Sequence, residues 1–378
     1  MTDSDLIRSV RDFARDTIAP AAAAIDRERA FPAGWWRDLG EFGLTGLAIP
    51  AAHGGLQADP GTLLAALEAV GGADGSTGWA LLAHTTVATA IAALGTDAQK
   101  ARYLPDLARA ARLGGTLAGT ETGGGSNPGS IRTHARRDGD TFVLDGTKFF
   151  MTQAGAGDVY LVLALIGDTP GAQGLGCLIV EKDDPGLSFG AREVTMGLHG
   201  IEVREMVFAD CRIPADRLLG PPAGAMAVLR ATTLPLLLGS SAVALGIAQA
   251  AHDATLAHLR ARNVLGQPLS GLGAVQARMA EVLRELTAAR AFLDYGLARF
   301  GEGPKGPPLP LWLAKVSITA AAERIVSTCL GQHGAIGYSQ ALPLERMLRD
   351  VRAFAIHWGN NDVFMDMVGK MAVAAPAG

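Results

Sequence analysis

The chain has 378 residues, of which 49% are hydrophobic and 19% charged, so it is long enough for two or three structural units with a substantial core. Its formal net charge of −4 and the absence of a basic stripe give no reason to expect nucleic-acid binding. Three cysteines without metal-like spacing, at positions 177, 211 and 329, exclude a disulfide framework and a zinc site and fit a reducing cytoplasm.

Residues 1–114 predict an N-terminal α-helical domain. Apolar residues recur at helical spacing from Leu6 to Ala14, and the runs 61–70 and 79–94 are also helical, with Gly, Pro and Asp between them. The first 24 residues contain no basic region followed by an unbroken apolar stretch. We therefore expect no secretion signal at this terminus.

Residues 115–225 predict a central β-domain, which we expect to be a small barrel or sandwich. Short β-branched or alternating segments predict strands at 141–144, 159–163, 177–180 and 205–208. Asp145-Gly146 predicts a turn after the first of these strands.

Residues 226–378 predict a C-terminal helical bundle. Long helical stretches occupy 226–263, 272–301, 311–331 and 347–373. The longest apolar stretch, 231–251, is interrupted by Pro235, Gly239 and Gln249, so we interpret it as a buried core helix and expect no membrane span. The order of helices, strands and helices predicts an α+β protein.

Four segments could hold a ligand. The glycine-rich run 120–127 can expose backbone N–H groups, and Phe150 within 148–153 could flank a flat ring. Arg262 at a helix end could grip a phosphate, and the turn 331–338 could face an anion. Each segment alone is equally consistent with a plain structural role: a loop, a core phenylalanine, a solvated helix end and an ordinary helix C-cap.

The order and spacing of these segments resemble the acyl-CoA dehydrogenase family over nearly the whole chain. The residues 208–214 resemble its F-x-D-x-x-[VI]-P strand, and 196–200 resemble M-G-x-R-G, with His199 in place of Arg. The residues 262–266 resemble R-x-x-F-G, with Leu265 in place of Phe, and 334–338 resemble the turn G-G-x-G-[YF].

The resemblance implies an α-domain, a β-domain and a four-helix bundle, bound FAD, and a homodimer or homotetramer. It implies that three sets of residues contact the cofactor. Those beside the flavin ring are Thr120, Ser126, Phe150 and Thr152. Those toward the pyrophosphate are Arg262, from a neighbouring subunit, with Gln276, Gly334, Ala335 and Gly337. Those on the C-terminal loop are Gly359 and Asn360, next to His357 and Trp358 on the substrate side.

The chain departs from the family at the catalytic base. The residues 348–352 resemble the approach to a loop that carries a proton-removing Glu, and Trp358 stands in the place of that Glu. Indole has no proton-accepting group. Some family members carry the base on the first helix of the bundle, but the matching stretch 234–238 holds no carboxylate. Loss of a positioned base costs on the order of 10²–10⁴-fold in rate.

Three functions therefore stay open. The one we favour is an FAD-dependent oxidoreductase that acts on an acyl thioester of coenzyme A or a carrier protein and uses an electron-transfer partner, with His357 as base. In the alternative interpretation His357 is a structural histidine. Asp362, Glu121 and His333 are weaker candidates for the base.

The second function is a flavin-dependent monooxygenase of the same fold that works with a flavin reductase. The spacing R-[DN]-x-x-x-x-x-x-H, seen in such enzymes, is matched by Arg349, Asp350 and His357. The third is a non-catalytic subunit that pairs with an active homologue, in which Trp358 fills the acyl cavity.

Overall fold

The computed structural model of the protein describes residues 3–125, 127–167, 169, 171–264, 266–302, 308–357 and 359–374. Two of the predicted site residues, Ser126 and Trp358, lie outside the described residues, as does Leu265. The predicted α+β class is confirmed, with helices at both ends of the chain and a sheet between them.

Helices form the N-terminal part of the chain. Acidic residues in the first turn of the first helix, Asp3 and Asp5, favour its N-terminus, and its apolar face buries Leu6 and Val10. The helices are α1 (Asp3–Phe13), which continues through a π-helical segment Ala14–Ile18, α2 (Ala19–Glu28), α3 (Trp35–Phe42), α4 (Pro60–Ala73), α5 (Gly75–Leu94) and α6 (Asp97–Ala108).

One connected sheet forms the middle of the chain. Its strands are β1 (Gly114–Ala118), β2 (His134–Asp138), β3 (Thr141–Thr152), β4 (Val159–Ile166), β5 (Leu175–Glu181), β6 (Leu187–Phe189) and β7 (Val203–Pro214). In the described residues their order is β1-β4-β2-β3-β7-β6, with β5 paired to β4. The strands β1 and β2 run parallel to β4, whereas β5 runs antiparallel to it.

The strand β4 is buried on both faces. Because side chains alternate along a strand, Val159, Leu161 and Leu163 pack in one core cluster with α5 and α6. Tyr160 and Val162 point the other way, into a second cluster with residues of β3 and β7. The helices and the sheet therefore share β4 as a common wall.

The predicted turn at Asp145-Gly146 is wrong. The strand β3 runs through these residues, and its pairing with β7 shifts register between Leu144 and Gly146. Gly146 has a φ of +146°, and a Cβ there would lie 2.5 Å from Thr133 Oγ1, so glycine permits a β-bulge in place of a turn. The chain reverses earlier, at the turn between β2 and β3.

Helices return after the sheet. The elements are α7 (Ala225–Ala231), a π-helix Leu234–Gly239, α8 (Ser240–Ala261), the short ribbon β8 (Asn263–Val264) and β9 (Gln267–Pro268), α9 (Gly273–Gly301), α10 (Leu309–Gln332), α11 (Leu344–Arg352) and α12 (Asn361–Ala374). The predicted stretch 226–263 is therefore divided, and the predicted stretch 347–373 is interrupted before Asn361.

Two helical segments among the described residues, Gly75–Leu94 and Leu234–Ala261, are long and apolar enough to pass a length-and-composition test for a membrane span. Their most apolar windows are 78% and 83% buried inside the fold. Buried core helices pass the same test because they are also long and apolar.

Three parts of the chain meet at Asp350, a buried residue of α11. Its Oδ1 accepts the backbone N–H of Leu198, in the loop before β7, at 2.6 Å. A Cβ at Gly75, the first residue of α5, would lie 2.9 Å from Asp350 Oδ2. Burial raises the pKa of Asp350 to about 7, against the opposing effect of the Leu198 hydrogen bond.

In a second buried titratable group, His84 of α5, burial shifts the pKa in the opposite direction. Gly114 donates its N–H to His84 Nδ1, so Nε2 carries the proton toward the Thr45 carbonyl, 3.1 Å away. Burial lowers the pKa of His84 to about 4. The unfolded chain binds a proton here below pH 6.5, so His84 makes stability rise with pH between about 4 and 6.5.

Asp350→Asn should make the pH dependence of stability steeper. Asp350 ionises near pH 3.8 when unfolded and near 7 when folded, so its stabilising contribution is complete below pH 3.8 and is lost as pH rises through about 7. The Asn variant keeps an acceptor for Leu198 but loses this opposing slope. Between pH 4 and 6.5 its free energy of unfolding, measured with urea, should rise by up to about 1.4 kcal/mol per pH unit more than that of the unmodified chain. Parallel curves would show that Asp350 titrates normally.

Candidate active site

A cavity of about 430 Å³ opens where the sheet meets the C-terminal helices. Its walls come from α5, from β1 and the loop after it, from the end of β3, from α7 and the π-helix, and from the segment before α12. Among the described residues the lining is Trp79, Thr116, Leu117, Gly119, Thr120, Gly125, Pro128, Ile131, Phe150, Met151, Thr152, Leu163, Leu229, Leu236, Ile356, His357, Gly359 and Asn360.

The loop after β1 presents Thr120 to this cavity. Phe149 donates its backbone N–H to the Thr120 carbonyl at 3.0 Å, which ties the loop to β3. A Cβ at Gly125 would overlap the Thr120 hydroxyl, so only glycine lets the loop close on itself here. The predicted role of the glycine-rich run therefore has a structural basis in close backbone approach.

Glu121 is held beneath this loop. It accepts hydrogen bonds from Lys148 Nζ at 2.8 Å, from the Thr133 hydroxyl and from the backbone N–H groups of Arg132 and Thr133. Burial alone would raise the pKa of Glu121, but these donors outweigh it and lower the pKa to about 2. Glu121 does not line the cavity. It is therefore a fixed structural anion, and the weaker prediction that it acts as base is wrong.

Phe150 is the most exposed aromatic part of the cavity wall. It lies at a bulge of β3, where pairing with β7 shifts between Lys148 and Met151, and its φ of +56° is in the left-handed region. A bulky residue rarely adopts that conformation, and 56% of Phe150 is nevertheless exposed. Such strain without compensating packing is typical of a residue placed for a ligand.

Trp79 joins the two sides of the cavity. Its Nε1 donates to Thr152 Oγ1 at 3.2 Å, on the β3 side. Its ring meets the His357 ring edge to face, with centroids 5.4 Å apart and an angle of 89°. This role is not visible in the sequence, because Trp79 lies in a uniformly apolar helix where a tryptophan is ordinary core.

His357 is the single titratable side chain among the described residues that line the cavity. The residue is exposed and lines the cavity. Protein surrounds its other sides, and the resulting loss of hydration, followed by the nearby charge of Lys315, lowers its pKa below 6.5. At neutral pH the imidazole is therefore unprotonated and can accept a proton.

The part of the wall formed by α7, the π-helix and Ile356 is apolar. Leu236, from the π-helix that precedes α8, and Leu229, from α7, face the cavity together with Ile356. The stretch 234–238 thus contributes a leucine to the site where some family members have a base. Two weaker base candidates, His333 and Asp362, do not line the cavity, and His333 Nδ1 lies 2.9 Å from the Cys329 carbonyl.

The structure divides the predicted site residues into two groups. Thr120, Phe150, Thr152, His357, Gly359 and Asn360 line the cavity. The second group lies elsewhere on the chain: Arg262, Gln276, Gly334, Ala335 and Gly337.

Arg262 and the turn 334–338 lie on one side of the bundle. Arg262 is exposed directly after α8, one turn beyond His258. The rings of His258 and His333 are 4.3 Å apart, which brings the end of α8 to the end of α10, directly before Gly334. Gln276, in the first turn of α9, donates to the Ser270 carbonyl at 3.0 Å. One protomer therefore does not bring these residues into its own cavity.

Comparison with known proteins gives a consistent result along the chain. Family models match residues 2–111 (acyl-CoA dehydrogenase, N-terminal domain), 116–211 (middle domain) and 238–373 (C-terminal domain). An acyl-CoA dehydrogenase of Bacillus subtilis (strain 168) is 32% identical over 96% of both chains.

Two solved structures have the same fold along almost all of both chains. The butyryl-CoA dehydrogenase of Megasphaera elsdenii has a TM-score of 0.93, with 27% identity and 99% of each chain covered. The prolyl acyl carrier protein oxidase AnaB has a TM-score of 0.90, with 27% identity and 98% of each chain covered.

Replacing Phe150 should separate backbone strain from ligand contact. Phe150→Gly relieves the left-handed conformation, so the free energy of unfolding should exceed that of Phe150→Ala by about 1 kcal/mol, as measured by urea denaturation. Both variants lose the exposed ring and should retain less flavin than the unmodified chain. Equal stability of the two variants would show that residue 150 is unstrained, and full flavin retention would remove the ring from the site.

Proposed function

Because the chain belongs to the acyl-CoA dehydrogenase family, we propose that it is an oxidoreductase that uses FAD to oxidise an acyl thioester, with His357 as the catalytic base. The observation that carries this proposal is the position of His357. It is the one titratable side chain on the described wall of the cavity, and its lowered pKa suits a base at neutral pH.

The described residues fit a flavin. Phe150 offers an exposed aromatic face, and the hydroxyls of Thr120 and Thr152 offer hydrogen bonds along the same wall. These residues would hold the ring, and Arg262 of a neighbouring subunit would bind the pyrophosphate. FAD, when bound, supplies the acceptor for the hydride that leaves the substrate.

His357 would remove the proton from the carbon next to the thioester carbonyl. The imidazole can approach a substrate because it faces the open cavity, and the Trp79 ring packed against it limits its rotation. Trp79 also donates to Thr152, so the base and the cofactor wall are positioned by one side chain. This shared support favours the alignment that proton and hydride removal both require.

The substrate would be a thioester of a small apolar acyl group. Leu229, Leu236 and Ile356 offer dispersion contacts and no charge. Both kinds of acyl carrier are represented among similar structures, by the butyryl-CoA dehydrogenase and the prolyl acyl carrier protein oxidase. Assays should therefore use coenzyme A and carrier-protein thioesters in parallel.

His357→Ala should lower kcat on the order of 10²–10⁴-fold without releasing flavin, because the change removes the base and leaves the cofactor wall intact. Dye-coupled oxidation of acyl thioesters measures the rate, and the visible spectrum measures flavin. Added imidazole should restore part of the rate. The control is His134→Ala, which changes an exposed histidine of β2 outside the cavity.

Full activity of His357→Ala would remove His357 from the mechanism. A colourless protein that consumes NADH and oxygen only with an added flavin reductase would contradict the proposed reaction and favour a monooxygenase.

Arg262→Ala should reduce the FAD retained on purification, because the guanidinium would contribute paired hydrogen bonds to the pyrophosphate. The matched control is Arg260→Ala, two residues earlier and also exposed. The flavin-to-protein absorbance ratio after gel filtration provides the measurement. Equal ratios for the two variants would place Arg262 outside the cofactor site.

A further inference from the structure

Lys315 is a fully buried lysine beneath the loop that carries His357. It lies in α10, within an otherwise apolar run, and has no exposed surface. Its Nζ donates to the backbone carbonyl of Gly359 and to Asn361 Oδ1, the latter at 2.8 Å. The amine also lies 5.5 Å from the centre of the Phe364 ring. Every one of these partners belongs to the loop or to the start of α12.

This arrangement is costly for folding. An ammonium group loses its hydration on burial, and among the described residues no carboxylate forms an ion pair with Lys315. Burial accordingly lowers the pKa of Lys315 to about 7. A methionine would fill the same space without this cost, so packing alone does not account for the lysine.

Further contacts also restrain the loop. Gly359 has a φ of +99°, and a Cβ there would overlap the Phe364 ring, so the backbone lies directly against α12. Asn361 is also tied to α10, because its Nδ2 donates to Thr319 Oγ1 at 3.0 Å. Lys315 and Thr319, one turn apart on α10, thus hold Gly359 and Asn361 against that helix.

Lys315 binds the backbone only two residues beyond His357, so its charge is close enough to lower the pKa of the imidazole. The Trp79 ring, which is uncharged, packs against the imidazole, and Phe354 packs against Trp79 in turn. Burial lowers the pKa of His357 most, and the positive charge of Lys315 lowers it further. The partners that face Lys315 itself, Gly359, Asn361 and Phe364, are all uncharged, so its field is not cancelled nearby.

We propose that Lys315 is a positioning residue, which fixes the loop that carries His357 and places a positive charge beneath the imidazole. The role rests on the proposed function of His357 as base. Below its own pKa of about 7, Lys315 is a cation and disfavours protonation of the base, so that His357 stays ready to accept a proton in mildly acid solution. The hydrogen bond to Gly359 holds the loop in the conformation that directs His357 into the cavity.

The test measures the titration of His357 directly. NMR of the purified protein, with histidine labelled at Cε1, gives the pKa of each ring, and His357→Gln assigns the signal. Lys315→Met should raise the pKa of His357 by roughly half a pH unit or more, because the change removes a nearby positive charge whose effect is only partly screened. Lys315→Gln should do the same while it keeps a donor for Gly359.

Thr319→Val is the matched control. It breaks the neighbouring hydrogen bond to Asn361 without a change in charge, so the His357 titration should stay in place. An equal rise in Thr319→Val would show that loosening of the loop is responsible and would overturn the electrostatic role. An unchanged His357 titration in Lys315→Met and Lys315→Gln would overturn it as well.

Kinetics test the positioning role. Lys315→Met should lower kcat on the order of ten- to a hundredfold with KM within about threefold, because the acyl contacts remain while the base is misplaced. Lys315→Gln should recover part of kcat, and unchanged kcat in both variants would contradict positioning. Suppose that His357→Ala is fully active but that the Lys315 variants still shift the His357 titration. The proposed function then fails and the electrostatic inference stands.

Discussion

The position of the active cavity depends on the junction at Asp350. A single buried carboxyl group accepts the Leu198 N–H from the middle of the chain, while Gly75 lets the start of α5 approach its other oxygen. The helix α11 leads directly into the residues that carry His357, and α5 carries Trp79. A shift at this junction would therefore move both walls of the cavity at once.

The fold could be predicted from the sequence where local pattern and tertiary environment agree. The amphipathic helix at Leu6 and Val10 and the apolar strand that became β4 are such places, because periodicity alone indicates which faces are buried. The bulge at Gly146 is a different case. Asp-Gly favours a tight turn locally, but pairing with β7 on both sides of the bulge holds the strand extended. That partner lies about sixty residues further along the chain, and no local pattern indicates it.

The site could be predicted to the extent that its residues resemble a known family. The resemblance predicts Thr120, Phe150, Thr152 and His357, and the structure places them around one cavity. Trp79 could not be found, since aromatic residues in apolar helices are usually core. Lys315 is recognisable in the sequence as a lone charge in an apolar run, but that pattern indicates only that the amine has a partner. That the partner is the carbonyl of Gly359 requires the fold.

The uncharged wall around His357 has a consequence for selectivity. An acyl group that ends in a second carboxylate would give up its hydration on entry, and the described cavity wall offers neither lysine nor arginine to replace the lost water. Such a substrate would be rejected by solvation even where its shape fits. Mono-acyl chains with a hydrocarbon end meet no such barrier. Under the proposed function, the described part of the cavity wall would therefore select against anionic acyl ends through desolvation.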